Sequence, residues 1–186
     1  MRAFIGINFD TGVKNGISDV QSIVRQNIEK GRFKYVGNFH ITLKFLGEIQ
    51  KDDIREINQV LAESASLWKA FSLNIDKLGF FKGRGSIHAL WLGLGGELDS
   101  LVALQNSIEE GLAHKGFKKD EKLYTPHITI AQDLILKTDF EELQKAVDLS
   151  VIPFIGVKEI SLIKSEQIQG KRIYTPISTF KLKGDS

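Results

Sequence analysis

His40-Ile41-Thr42-Leu43-Lys44-Phe45-Leu46 alternates polar with apolar side chains and halts at Gly47, the pattern of a strand that lays one face on a core. Successive strand side chains point to opposite faces. The spacing therefore predicts His40, Thr42 and Lys44 on one face, with Ile41, Leu43 and Phe45 on the other, against the core. The tripeptide returns in Thr125-Pro126-His127-Ile128-Thr129-Ile130-Ala131, where His127 and Thr129 share a face opposite Ile128 and Ile130. With only four His and seven Thr in 186 residues, a second His-Ile-Thr is improbable by chance. Each strand then offers an imidazole and a hydroxyl on the side away from the core. A chain that brings the two strands together has a paired acid–base site.

Working outward, a strand is expected at Arg2 to Asn8, then a helix from about Val13 to Glu29 on the spacing of Ile17, Val20, Val24 and Ile28, with Gly31 as its stop. Asp52 and Asp53 favour a helix start beyond Gly47, with Ile54, Ile57 and Leu61 as its apolar stripe. A strand at Phe71 to Leu78 leads into an exposed loop from Gly79 to Ser86, then a strand at Ala89 to Leu94. The helix from Leu98 to about Lys115 carries Leu101, Leu104, Ile108 and Leu112 on one side. After the second motif come a short helix near Phe140 to Val147 and strands at about Val157 to Lys164 and Tyr174 to Leu182, joined by a polar segment with Gly170, Lys171 and Arg172. This order is a degenerate internal repeat, with one motif in each half. It predicts an α+β fold of two lobes within a single domain, 1–186, its motif strands meeting at a cleft and its helices covering the outer faces of the sheets.

Composition narrows the function. The 25 Lys+Arg and 23 Asp+Glu nearly cancel, so attraction to nucleic acid must come from a local patch, and tight non-specific duplex binding is excluded. The absence of Cys rules out disulfides, a thiolate nucleophile and Cys-based metal sites, and fits a reducing, cytoplasmic setting. Asn8 and Asp10 interrupt the opening apolar run too early for a secretory signal. The longest apolar stretches, such as Ala89 to Leu94, are too short to span a bilayer.

An imidazole titrates near neutrality, so two facing one another can divide the labour of phosphodiester chemistry: one removes a proton from an attacking hydroxyl or water, the other protonates the departing alkoxide. Thr42 and Thr129 hydroxyls can donate to non-bridging phosphate oxygens. Neither a metal nor a cofactor is required. A metal set is also short of ligands, because no Cys exists and no carboxylate lies beside either motif. A lone His-x-Thr is usually a surface pair, and only the duplication gives it weight. Lys44, Lys82, Arg84, Lys171 and Arg172 are candidates to rim the cleft, although most surface cations have no specific partner. Phe45, Tyr35, Phe39 and Phe81 are candidates to stack on a base, Phe45 against its expected coreward direction. Trp91 reads as core, His88 and His114 have no assigned role, and the glycine clusters at 83–85 and 93–96 lack the Gly-Lys-Ser/Thr of a P-loop.

The segments Lys34 to Gly47 and Thr125 to Ala131, with the opening Met-Arg-Ala-Phe-Ile-Gly-Ile and the Ala89-Leu90-Trp91-Leu92-Gly93 strand, resemble the 2H phosphoesterase superfamily, and more closely its LigT-like branch of RNA 2′,3′-cyclic phosphodiesterases. The resemblance implies two antiparallel sheets around a central groove, related by a pseudo-two-fold. It also implies metal-independent hydrolysis of a terminal 2′,3′-cyclic phosphate to a 2′-phosphate. His127 would be the general base, His40 the general acid, and Thr42 and Thr129 the phosphate ligands. The branch usually carries Arg five residues after the second His; Gln132 stands there instead, which offers a hydrogen bond without charge. Gln132 and Phe45 are the weaker members of the substrate-binding set. The expected partners are RNA ends or small cyclic-phosphate nucleotides, with no membrane and no protein partner, the chain acting as a monomer. Three alternatives stay open: 2′–5′ RNA ligation by the reverse reaction, a small cyclic-nucleotide phosphodiesterase on the same site, and a non-catalytic RNA-end-binding module, the last motivated by Gln132.

Overall fold

Five consecutive buried residues, Ala3 to Ile7, give β1 (Arg2–Asn8) the character of a strand paired on both edges. In the computed structural model, which describes residues 1–184, it pairs antiparallel with β3 (His40–Glu48) on one side and β8 (Glu159–Ile168) on the other. With β9 (Lys171–Lys181) these make a four-stranded sheet in the order β3-β1-β8-β9. The second sheet runs β2 (Ile28–Phe33), β6 (His127–Leu136), β5 (Ile87–Gly96), β4 (Phe71–Lys82), β7 (Ile155–Val157). Every named pairing is antiparallel, and the two motifs open the strands β3 and β6 in different sheets. The α+β class with two antiparallel sheets is as expected.

The sheets do not follow the halves of the chain. The first sheet takes β1 and β3 from the beginning and β8 and β9 from the end, while β2 crosses to join the second. Helices α2 (Lys51–Leu67) and α3 (Leu98–His114) pack on one another and on the first sheet, α2 against β8 and β9, α3 against β3. Helix α1 (Thr11–Gln26) covers β2 and β6. Near the other edge, α4 (Phe140–Ala146) sets the Phe140 ring 4.6 Å from Phe80 and buries Leu143. Ile41, Ile128 and Ile130 are fully buried, as strands with one face on a core require. Among the described residues no helix is long and apolar enough to cross a membrane.

Several boundaries differ from the sequence reading. The first helix starts at Thr11, where the Asp10 carboxylate accepts from the Val13 N–H at 2.9 Å, and ends at Gln26. Ile28 falls at helical spacing yet belongs to β2, a strand whose residues are half-buried or exposed and so leave no alternating signature. Gly79 to Lys82 are not loop: they continue β4 opposite β5, leaving only 83–86 as the turn. Lys171 and Arg172 likewise pair with Ile168 and Gln167, and the polar segment shrinks to Gln169-Gly170. Both turn residues have positive φ, 47° and 79°, as a two-residue hairpin turn demands.

Candidate active site

Both motif strands carry a bulge at the same place. Along β3, Gly6 faces Thr42 and Ile5 faces Lys44, so Leu43 is the extra residue; along β6, Trp91 faces Thr129 and Leu90 faces Ala131, so Ile130 is extra. One inserted residue reverses the alternation beyond it. The side chains five residues after each histidine, Phe45 and Gln132, therefore turn to the cleft side. This corrects the sequence reading of both faces: Phe45 is 68% exposed and Lys44 is 3% exposed. A bulged carbonyl loses its place in the ladder and needs another donor. Two buried glutamines contribute: Gln21 of α1 donates from Nε2 to the Ile130 carbonyl at 2.8 Å, which also accepts the Lys34 N–H at 3.0 Å, and to the Lys34 carbonyl at 2.9 Å, and Gln105 of α3 donates to the Leu43 carbonyl at 3.4 Å. Gly6, opposite the first bulge, allows the close approach, since a Cβ there would lie 2.8 Å from the Ile41 oxygen.

The imidazoles are held alike. His40 donates its Nδ1–H to the Asn38 carbonyl at 2.7 Å, and His127 donates its own to the Thr125 carbonyl at 2.7 Å, each two residues back. A carbonyl only accepts, so in both neutral rings Nε2 is the bare nitrogen. At His40, Nε2 accepts from the Thr42 hydroxyl at 2.9 Å. The His40 ring lies 4.6 Å from Phe4 and edge-on to Tyr174 at 5.1 Å; His127 is edge-on to Phe81 at 5.3 Å and 6.3 Å from Trp91. Burial pushes the His40 pKa down to about 4 against the Asn38 hydrogen bond, and the charge of Lys34 pushes the same way. In the free protein His40 is neutral at neutral pH. The two rings, Thr42, Thr129, Lys34 and Gln132 line one cleft of about 290 Å³.

Two lysines reach this cleft, and their surroundings differ. Lys44 Nζ is neutralised by Glu109 at 2.7 Å and Asp120 at 3.5 Å, and it also donates to the Lys118 carbonyl at 3.0 Å. It ties the segment after α3 to β3. Lys34 Nζ donates to the Gln132 amide oxygen at 2.9 Å and has no ion-pair partner among the described residues. Burial, then the charges of Arg32 and Arg172, hold its pKa below the usual lysine value. A cation fixed by a neutral amide keeps its charge available to an anion. Among the described residues no group of three or more His, Cys, Asp or Glu is gathered as a metal ion would need.

The family model for the 2′-5′ RNA ligase superfamily matches residues 18–168, a span holding both motifs. The chain belongs to that superfamily. Relatives include the RNA 2′,3′-cyclic phosphodiesterase of Methanothermobacter thermautotrophicus, 27% identical over 98% of this chain and 99% of that protein. That of Thermotoga maritima is 32% identical over 80% of this chain and 83% of its own. In fold the chain is similar to apo E. coli LigT, with a TM-score of 0.80 and 23% identity, over 97% of this chain and 96% of that one. The resemblance to 2H phosphoesterases of the LigT-like branch thus holds.

Within this member of the superfamily the structure brings His40, Thr42, His127, Thr129, Gln132 and Phe45 to one cleft. Other candidates fall elsewhere. Phe39 is buried at 1%, Tyr35 is exposed and outside the cleft lining, and neither Lys82, Arg84 nor Lys171 borders it. Phe81 stands against His127, and Trp91 forms a half-buried wall rather than pure core. Lys34, Phe4, Tyr174 and Tyr124 were missed. Tyr124 donates to the Thr42 carbonyl at 3.0 Å. The only signal available for Lys34 was its place at the end of β2, a strand without a sequence signature.

Proposed function

We propose that the protein hydrolyses RNA 2′,3′-cyclic phosphate ends to 2′-phosphates by acid–base catalysis between His127 and His40, without a metal. The observation that carries this reading is the matched pair of imidazoles, each with Nδ1–H pinned to a backbone carbonyl and a motif threonine beside it, bordering one cleft. His127 Nε2 takes a proton from water as the water oxygen attacks phosphorus. The P–O3′ bond breaks, and protonated His40 Nε2 delivers its proton to O3′, leaving the phosphate on O2′. His40 is neutral in the free protein; the negative charge of the arriving phosphate favours its imidazolium form and loads the acid. Thr42 and Thr129 hydroxyls, the Gln132 amide and the Lys34 ammonium hold the non-bridging oxygens as charge builds. The absence of Cys supports a reducing compartment.

The deciding experiment incubates an RNA with a 2′,3′-cyclic phosphate end in excess chelator and identifies the product. A 2′-phosphate is expected, with turnover abolished in His40→Ala and His127→Ala. A 3′-phosphate or a metal requirement overturns the scheme, and tight binding without hydrolysis favours the end-binding module.

A further inference from the structure

Beside the histidine cleft lies a second depression of about 170 Å³, whose walls include Arg2, Phe4, Phe45, Ser165, Arg172 and Tyr174. It is continuous with the first: Phe45 and Tyr174 border both, and the Phe4 ring rests on His40. Three aromatic rings meet here, Phe4 being 5.0 Å from Tyr174 and 6.2 Å from Phe45. Phe45 is brought out to this position by the bulge at Leu43. Arg2 and Arg172 have no ion-pair partner among the described residues. The Arg172 guanidinium is steadied by the Ser165 hydroxyl at 3.4 Å, and its carbonyl accepts from the Asn38 amide at 2.8 Å, two residues before His40. Among the described residues no carboxylate lines the depression.

The opposite flank of the cleft is different. The groove beyond His127 carries both signs: Glu109, Asp120 and Glu121 line it together with Lys44, Lys118, Lys119 and Lys122, and Lys44 is paired with Glu109, Lys118 with Glu121 and Lys119 with Glu110. A polyanion meets carboxylates and cations mixed on that flank, and uncompensated cations on the arginine side, which attracts it. An exposed aromatic face next to unpaired guanidiniums is what a nucleotide needs, a surface for the base and a partner for the phosphate.

We propose that this depression holds the nucleotide preceding the cyclic-phosphate terminus, with its base on Phe45 and the phosphodiester joining it to the terminal residue on Arg2 and Arg172. The protein is then built for the ends of RNA chains rather than for mononucleotides. The inference rests on the hydrolytic reading above and deepens it.

The test compares kcat/KM on a 2′,3′-cyclic mononucleotide with the di- and trinucleotide ending in the same residue. The expected result is a gain of about tenfold or more from mono- to dinucleotide, the size of one base stack with a phosphate contact, and little further gain to the trinucleotide. Arg2→Ala, and Arg2→Ala combined with Arg172→Ala, remove that gain and leave mononucleotide turnover at its wild-type level. Equal turnover of mono- and dinucleotide overturns the proposal, as does an equal loss on both substrates in the arginine variants. If no substrate is turned over, the hydrolytic reading fails, and the subsite is read by binding of the 2′-phosphorylated mono- and dinucleotides. Tighter binding of the dinucleotide, lost in Arg2→Ala, then supports the subsite; equal binding overturns it.

Discussion

At the scale of single residues, the two motif histidines look alike in sequence and differ in surroundings. His40 is packed between Phe4 and Tyr174 and its pKa falls to about 4. A pH profile of kcat/KM reports ionisations of the free enzyme, and its limbs belong to the pair whichever ring is acid or base. Protonating an imidazole lowered to about 4 requires pH below that value, so the acid limb is expected near pH 4 instead of near 6.5. A profile falling already below pH 6.5 would contradict the burial argument. Lys34 leads to a second expectation. Its ammonium is fixed by the Gln132 amide oxygen at 2.9 Å, and charge-assisted bonds to an anion are worth about 1.5–3 kcal/mol. Lys34→Ala should raise KM or lower kcat/KM by about tenfold to a hundredfold, with Lys34→Arg retaining most of the activity. Unchanged kinetics in Lys34→Ala would show that the cleft uses no cation at this point. The histidines and threonines were legible as letters, because the chemistry lies in the residue types. Lys34 was not, because its role depends on strand β2 bringing it beside Gln132.

At the scale of elements, alternation predicted which residues share a face as far as Thr42 and Thr129 and failed immediately afterwards. A bulge is a property of the pairing between two strands, so no single segment announces it. Its consequence is nevertheless the same in both motifs: the residue five after the histidine, Phe45 or Gln132, turns into the cleft. The buried glutamines Gln21 and Gln105 sit on otherwise apolar helix faces, 3% and 5% exposed, and give their amides to the displaced carbonyls. Gln21→Leu keeps the size of the side chain and removes this donor; the Ile130 carbonyl keeps the Lys34 N–H at 3.0 Å, while the Lys34 carbonyl is left without a donor among the described residues. A carbonyl left without its donor costs about 1–3 kcal/mol when buried, so denaturant unfolding should show a loss of up to that size, accompanied by reduced activity as Lys34 loses its place beside Gln132. A variant as stable and as active as the wild type would mean that the bulge needs no support from α1.

At the scale of the whole molecule, the internal repeat places one motif in each half of the chain, while each sheet draws its strands from both halves. The first sheet is closed by β8 and β9 from the end of the chain, while α1, which follows β1 of that sheet, covers the second. Long-range pairing of this kind is invisible to periodicity, which describes segments and not their neighbours. Interleaving has a measurable consequence, because neither sheet can lose its strands without exposing the core of the other. The two tryptophans report on the two sides: Trp68 caps α2, which packs on β8 and β9, and Trp91 lies in β5 of the second sheet. Both indole N–H groups are buried without a hydrogen-bond partner among the described residues, so replacing either with Phe breaks no hydrogen bond there. Trp68→Phe and Trp91→Phe each leave one reporter, and their fluorescence transitions in denaturant should match the respective circular dichroism transitions, with one cooperative midpoint per variant. A fluorescence midpoint displaced from the circular dichroism midpoint in either variant would show that the sheets melt separately. In that event the cleft between His40 and His127 could open without global unfolding.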